Sequence, residues 1–197
     1  MTIKLGLTGS IGMGKSTTAG FFKEFGVPVW DADAEVHRMY ASDGAAVYPI
    51  KMIAPAAVAE GYVDRAKLKA MIAKDPDLLT EIEGLLGPLL AKSRAAFLNE
   101  NTKAPVVLFD IPLLFETDAE SWLDYVLVVT APLKVQRQRV LERGTMSEDM
   151  FNTILSRQTP DIEKRALADF LFDTSKGMAH TRAEVKALID QLEQENA

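Results

Sequence analysis

Cysteine is absent from this chain of 197 residues, and histidine occurs only as His37 and His180. Without cysteine there is no disulfide and no thiolate metal site, which suits a reducing cytoplasm. The two histidines lie far apart in sequence with no accompanying ligand pattern, so we interpret them as ordinary surface or core residues. No apolar stretch approaches the length of a membrane span, and Gly6, Thr8 and Gly9 interrupt the N-terminal one too early for a secretory signal. These absences predict a soluble, cytoplasmic protein.

Positive charge is also scarce, with 22 Lys and Arg against 28 Asp and Glu and a net charge of −6. Nucleic-acid binding depends on neutralising many phosphates, so this balance argues against it. A hydrophobic content of 48% and the length suit one globular domain with room for an inserted subdomain. We expect no nucleic-acid or membrane partner and see no sign of an obligate protein partner.

A glycine-rich run at residues 9–16 reads Gly-Ser-Ile-Gly-Met-Gly-Lys-Ser and matches the phosphate-binding pattern G-x-x-x-x-G-K-[ST]. Residues 3–8 before it form a short apolar run, and residues 17–25 after it have helical periodicity. This order of strand, loop and helix aims backbone N–H groups and a helix N-terminus at one anion. An accidental glycine-rich turn is the alternative, but the flanking strand and helix argue against it. We therefore predict that the chain binds a nucleoside triphosphate.

Each residue type in this loop has a chemical reason. Lys15 would bring a mobile positive charge to the β and γ phosphates, and the Ser16 hydroxyl would be a magnesium ligand. The glycines allow close approach of the backbone to the phosphates. The residues that we expect to bind the nucleotide are Gly9, Gly12, Met13, Gly14, Lys15, Ser16 and Thr17.

Short apolar runs alternate with helical patterns along the rest of the chain. The further predicted strands are residues 27–30, 106–109, 125–129 and 170–172. This alternation predicts an α/β fold, a doubly wound parallel sheet of the P-loop NTPase type, with ligands at the carboxyl ends of the strands. Residues 41–103 carry mainly helical patterns and would form an inserted helical subdomain on the substrate side.

Three aspartates follow predicted strands. Asp31 and Asp33 come after the second strand, where a kinase needs a carboxylate that orients the acceptor hydroxyl. The alternative is that one of them caps the helix that starts near Ala34, and both roles can hold, one for each residue. Asp110 ends the strand at residues 106–109 and fits the pattern of an acid that helps to hold magnesium, although strands often end in aspartate.

Gln136, Arg139 and Arg143 share one face of a predicted helix by their spacing. Cations on a mobile flap would neutralise a migrating phosphoryl group, and Gly144 offers a hinge for such a lid. A solvated helix face is the alternative for this charged run.

Taken together, these residues resemble the dephospho-CoA kinase family along nearly the whole chain. The motifs that carry the resemblance are the loop at residues 7–16, Asp31-Ala32-Asp33, Val63-Asp64-Arg65 with Leu68, Pro112-Leu113-Leu114-Phe115-Glu116, Gln136, Arg139, Arg143, Gln158, Lys164 and Ala168-Asp169. The resemblance implies transfer of the ATP γ-phosphoryl, with Mg²⁺, to the ribose 3′-hydroxyl of 3′-dephospho-CoA, which gives CoA and ADP. Asp33 would be the base, and Lys15, Arg139 and Arg143 would complete the catalytic group. Ser16 and Asp110 would hold the metal.

The resemblance also implies that the chain has three structural parts. The core would cover about 1–37, 104–138 and 161–197, a CoA-binding helical insertion about 38–103, and a helical lid about 139–160. Four positions differ from the usual family pattern: Ser10, Met13, Gly87 and Thr174.

Other functions remain to be weighed against this resemblance. Another small phosphotransferase would share the loop, lid and magnesium, and would differ only in its acceptor. A GTPase should carry an Asn-Lys-x-Asp element and a transporter ATPase a Leu-Ser-Gly-Gly-Gln type signature, and neither is present. A module that senses nucleotide without transferring phosphate is the binding-protein alternative.

Overall fold

The chain divides into two compact units in the computed structural model, which describes residues 1–144 and 146–196. The first unit consists of Met1–Trp30 and Asn101–Ala197, and the second of Asp31–Glu100. The elements, in chain order, are β1 (Ile3–Thr8), α1 (Lys15–Glu24), β2 (Val29–Asp31), α2 (Ala32–Tyr40), α3 (Val47–Ile53), β3 (Val58–Ala59), β4 (Tyr62–Val63), α4 (Arg65–Lys74), α5 (Asp77–Glu100), β5 (Val106–Asp110), β6 (Tyr125–Thr130), α6 (Leu133–Glu142), α7 (Glu148–Leu155), α8 (Asp161–Ala166), β7 (Phe170–Asp173) and α9 (Met178–Glu195). Short 3₁₀ turns lie at Pro55–Ala57, Ala119–Trp122 and Thr174–Lys176.

A five-stranded sheet has the strand order β2-β5-β1-β6-β7. The pairs β1–β5, β1–β6 and β6–β7 are all parallel. Every residue of β5 is buried, as expected for a strand covered on both faces, and α1 and α9 pack against each other next to the sheet. The predicted α/β fold with a parallel sheet is confirmed.

The strand order places the phosphate loop at the middle of this sheet. Because β1 lies between β5 and β6 and runs parallel to both, the carboxyl ends of the three strands meet at one edge. The loop leaves β1 at this edge, and Asp110 ends β5 beside it. This is the position at which open α/β sheets bind their ligands.

The second unit is mainly helical and has its own core. Buried side chains from α2 to α5 form this core, including Met39, Ile50, Leu68 and Ile82. Helix α5 continues through Pro88 without a break. Among the described residues, no helix is long and apolar enough to cross a membrane.

A small antiparallel hairpin of β3 and β4 interrupts the helices of the second unit. Its turn has positive φ at Glu60 (50°) and Gly61 (81°). Two consecutive residues with positive φ are typical of a tight hairpin turn that fits the twist of its strands. The sequence predicts mainly helical patterns in this region and gives no sign of the hairpin.

Candidate active site

The phosphate loop joins β1 to α1 and depends on glycine at two positions. Gly12 and Gly14 have φ values of 79° and 90°, which side chains rarely allow. A Cβ atom on Gly12 would lie 2.6 Å from Val140 Cγ2, and one on Gly14 would lie 3.1 Å from Thr174 Oγ1. The loop therefore packs against α6 and against the turn after β7 without room for side chains.

Three predicted phosphate ligands lie in the first turn of α1. Lys15 is half-buried there, whereas Ser16 and Thr17 are exposed. No side chain caps this helix, since its N-cap is Gly14 in the left-handed conformation. The first N–H groups of a helix have no partner within it, and they attract an anion together with the helix dipole.

Lys15 and Asp110 form an ion pair at the carboxyl edge of the sheet. The Lys15 Nζ atom lies 2.6 Å from Asp110 Oδ1, and the side chains are 17% and 6% exposed. A buried charge needs a partner, and this pairing satisfies both groups. The structure thus brings together a cation and a carboxylate that lie 95 positions apart in the sequence.

Oxygen donors suitable for magnesium are present at this edge. The Ser16 hydroxyl is exposed in the first turn of α1, and the Asp110 carboxylate ends β5. Among the described residues, no three His, Cys, Asp or Glu side chains cluster as a metal site. Magnesium in kinases usually takes only one or two protein oxygens, with phosphate and water for the rest. The donor set fits such an ion.

Met13 is anchored on both sides within the loop. Its thioether accepts a hydrogen bond from the Ala131 N–H group at 3.0 Å, and its carbonyl accepts one from the Thr174 hydroxyl at 2.9 Å. Thr174 is buried and follows β7. From the sequence, Met13 is an expected nucleotide-binding residue, and Met13 and Thr174 are two separate departures from the family pattern. The structure places these two departures in contact.

Arg139 contacts the same threonine. Its Nη1 and Nη2 atoms donate to Thr174 Oγ1 and to the Thr174 carbonyl, both at 2.8 Å. Gln136, one turn earlier in α6, is 2% exposed and donates to the Ile11 carbonyl at 2.8 Å. Part of the predicted common face of α6 therefore lies against the phosphate loop. Arg143 lies exposed just after α6.

The predicted lid at residues 139–160 spans the end of α6 and all of α7. Gly144 between them has a φ of 65°, which glycine adopts without strain. Thr145, inside the predicted lid, lies outside the described residues. The lid therefore stays a prediction.

Asp31 and Asp33 take different positions in the second unit. The Asp31 carboxylate caps α2 by accepting the Ala34 N–H group at 3.0 Å. Asp33 lies in the first turn of the same helix and is exposed. The sequence left open which aspartate is the cap, and the structure gives that role to Asp31.

A buried ion pair supports the segment that follows α7. Glu116 Oε1 lies 2.9 Å from Lys164 Nζ and accepts the Thr159 N–H group at 2.7 Å. The Lys164 side chain is fully buried. Burial alone would raise the pKa of Glu116, but the Lys164 ammonium and the Thr159 N–H group outweigh it and hold the pKa below its usual value. Both charged residues belong to the family motifs, yet nothing local in the sequence signals that they meet.

Comparisons with known proteins point to one family. The family model for dephospho-CoA kinase matches residues 3–180. The dephospho-CoA kinase of Jannaschia sp. (strain CCS1) is 52% identical over 192 residues, which is 98% of each chain. The crystal structure of TT1252 from Thermus thermophilus is 32% identical, has a TM-score of 0.82 and covers 97% of this chain and 98% of that one.

A further solved structure agrees in fold. The dephospho-CoA kinase from Campylobacter jejuni has a TM-score of 0.70 at 24% identity, and the match covers 100% of both chains. The resemblance inferred from the motifs is confirmed by the family model and by the relative that matches nearly end to end. This chain belongs to the dephospho-CoA kinase family, the kinases that phosphorylate dephospho-CoA with ATP in the final step of coenzyme A biosynthesis.

Proposed function

We propose that this protein transfers the γ-phosphoryl group of ATP to the ribose 3′-hydroxyl of 3′-dephospho-CoA, with residues 9–17 as the phosphate site. The observation that carries the proposal is the loop between β1 and α1, with Lys15 paired to Asp110 at the end of β5. Phosphoryl transfer needs little covalent help from a protein and depends on positioning and on charge stabilisation. Both are available at a helix N-terminus beside a lysine.

A magnesium ion completes this proposal. Ser16 and Asp110 would hold it, since hydroxyl and carboxylate oxygens suit a hard divalent cation. When bound, the ion neutralises negative charge on the β and γ phosphates. Lys15 would then share its charge between Asp110 and the nucleotide, and its flexible stem allows that movement.

Three other side chains complete the proposed chemistry. Asp33 would accept a hydrogen bond from the acceptor hydroxyl and take up its proton, a role supported by its exposure and by the assignment of the cap to Asp31. Arg139 and Arg143 would neutralise the migrating phosphoryl group. Arg139 directs two N–H groups to Thr174, and a guanidinium carries five such donors, so others remain for phosphate.

The organisation and location form part of the same proposal. The second unit, Asp31–Glu100, would hold the CoA precursor, and residues near 139–160 would act as the lid. The cytoplasm suits the product, because CoA carries a free thiol that a reducing compartment preserves.

The test is a panel of acceptors with Mg²⁺ and ATP, with products identified by mass. We expect conversion of dephospho-CoA to CoA, with AMP and shikimate left unchanged in parallel reactions. Transfer to a different acceptor would support kinase activity but contradict the assignment of dephospho-CoA as the substrate. ATP binding without transfer to any acceptor would favour a nucleotide-sensing role.

A further inference from the structure

Ile11, within the phosphate loop, has both of its backbone groups held by glutamine side chains from distant parts of the chain. Gln136 Nε2 donates to the Ile11 carbonyl at 2.8 Å, and Gln158 Oε1 accepts from the Ile11 N–H group at 3.2 Å. Gln136 belongs to α6 and is 2% exposed, whereas Gln158 follows α7 and is half-buried. These contacts bridge 125 and 147 positions of sequence.

We propose that Gln136 and Gln158 form an amide clamp that positions the phosphate loop for ATP. They are positioning residues, since they touch the loop backbone at Ile11 and not the reacting atoms, and the proposal rests on the proposed function of this loop. Ile11 directly precedes Gly12, whose positive φ of 79° is a conformation that favours glycine. Holding the peptide groups on either side of Ile11 restricts the loop before ATP arrives, and a pre-ordered loop loses less entropy on binding.

Gln158 lies at the C-terminal end of the proposed lid, where the residues that follow it are anchored to the rest of the first unit. Thr159 and Lys164 both bind Glu116, at 2.7 and 2.9 Å. The carboxylate of Asp161 accepts from the Thr130 hydroxyl at 2.8 Å, which ties α8 to the end of β6. A side chain positions another group well only when its own support is rigid. The clamp therefore rests on the sheet that also carries the loop.

The test compares Gln158→Met with Gln138→Met. Methionine is close to glutamine in size but lacks the amide, so the substitution removes the contact with Ile11 and leaves little space. Gln138 is the matched control, because it is an exposed glutamine of α6 that donates to Glu142 of its own helix. The measurements are the Kd of ATP without acceptor, hydrogen exchange at the Ile11 amide, and the KM of each substrate.

Loss of one hydrogen bond of this kind should weaken ATP binding by about 3- to 10-fold in Gln158→Met. Exchange at the Ile11 amide should become faster, while kcat at saturating ATP and the KM for dephospho-CoA stay within about twofold. The control should match the wild-type protein in every measurement.

An unchanged or tighter Kd for ATP in Gln158→Met would overturn the clamp. An equal rise in the KM of both substrates in Gln158→Met, accompanied by a lower Tm, would also overturn it. The contact would then contribute only to the stability of the fold. Failure of the proposed function can be told apart from failure of the clamp, because it would appear in the wild-type protein as no phosphorylation of dephospho-CoA. The Kd of ATP and the exchange of the Ile11 amide test the clamp without any acceptor.

Discussion

Asp110 ends β5 and Asp33 lies two residues after β2, but the structure gives the two carboxylates opposite surroundings. The Asp110 side chain is 6% exposed, and its Oδ1 atom lies 2.6 Å from the Lys15 Nζ atom. Asp33 is exposed in the first turn of α2, where Asp31 already caps the helix. The same side chain is thus a buried counter-ion in the first unit and a solvent-facing carboxylate in the second.

These surroundings suit the two carboxylates to different roles in phosphoryl transfer. A buried carboxylate is tolerated only with a partner, so Asp110 is suited to hold a cation, either the lysine or a metal ion. An exposed carboxylate can meet the hydroxyl of an incoming substrate without first losing a buried partner. The contrast can be tested by removing the charge of Lys15, the partner of Asp110, and in a separate variant the charge of Asp33.

The largest expected effect follows from Lys15→Ala. Loss of the cation should reduce kcat/KM by about 10³-fold or more, because a buried charge beside the phosphates disappears. It should also lower the Tm, since Asp110 would keep a buried charge without this partner. The measurements are steady-state kinetics and thermal unfolding, with Lys23→Ala on the exposed side of α1 as the control. Wild-type ATP affinity together with full activity in Lys15→Ala would refute the assignment of the loop.

Asp33→Asn should give the next largest effect. We expect kcat to fall by about 10²- to 10⁴-fold while the Kd of ATP stays nearly unchanged, because asparagine cannot take up the proton of the acceptor hydroxyl. Asp31→Asn is the matched control, since it removes the neighbouring charge but keeps an oxygen that can cap α2. Near-normal turnover of Asp33→Asn would remove Asp33 from the mechanism.

Most of the sheet could be predicted from the sequence because its strands are short, apolar and separated by helical patterns. The run at residues 106–109 is an example, since the structure has the strand at Val106–Asp110 with every residue buried. The hairpin of β3 and β4 was missed because each strand has only two residues. Its turn also has Glu60 at positive φ, where asparagine, aspartate or glycine would have been the expected signal.

In the candidate site, the local motif could be predicted from the sequence but the long-range contacts could not. The phosphate loop is a local pattern, so its residues could be named from the sequence alone. The contacts of Thr174 with Met13 and of Gln158 with Ile11 span 161 and 147 positions, and only the folded chain brings them together. No periodicity or spacing within one element reports such a contact.

Glu116→Gln extends the comparison to a second buried pair and should cost about 3 kcal/mol of unfolding free energy at pH 7. The substitution leaves the buried Lys164 ammonium without its counter-charge. The contribution of Glu116 to the free energy of unfolding decreases in acid, because its pKa in the folded protein lies below the usual value. The stabilisation is complete above the pKa of the unfolded chain, about 4.3, and is lost as the pH falls through the lower, folded-state pKa.

Urea denaturation of the wild-type and Glu116→Gln proteins between pH 7 and pH 3 measures this difference. The difference between the two free energies of unfolding should begin to shrink below about pH 4.3 and should keep shrinking towards pH 3. Asp190→Asn is the control, since it breaks the exposed pair with Lys186 and should cost about 0.5 kcal/mol or less. A cost for Glu116→Gln that is as small as this control, or that grows in acid, would contradict the role of the buried pair.

The smallest expected effect belongs to Asp31, whose carboxylate accepts from the Ala34 N–H group. Asp31→Ala should lower the free energy of unfolding by about 1 kcal/mol because α2 loses its cap, whereas Asp31→Asn should cost only a few tenths. Asp33→Asn should leave stability nearly unchanged, since the side chain is exposed and Asp31 already provides the cap. In urea denaturation, Asp31→Ala should therefore lose the most stability of the three variants and Asp33→Asn the least. The order is opposite for kcat, which only Asp33→Asn should lower strongly. If Asp33→Asn destabilised the protein more than Asp31→Ala, the cap would belong to Asp33 and the division between the two aspartates would fail.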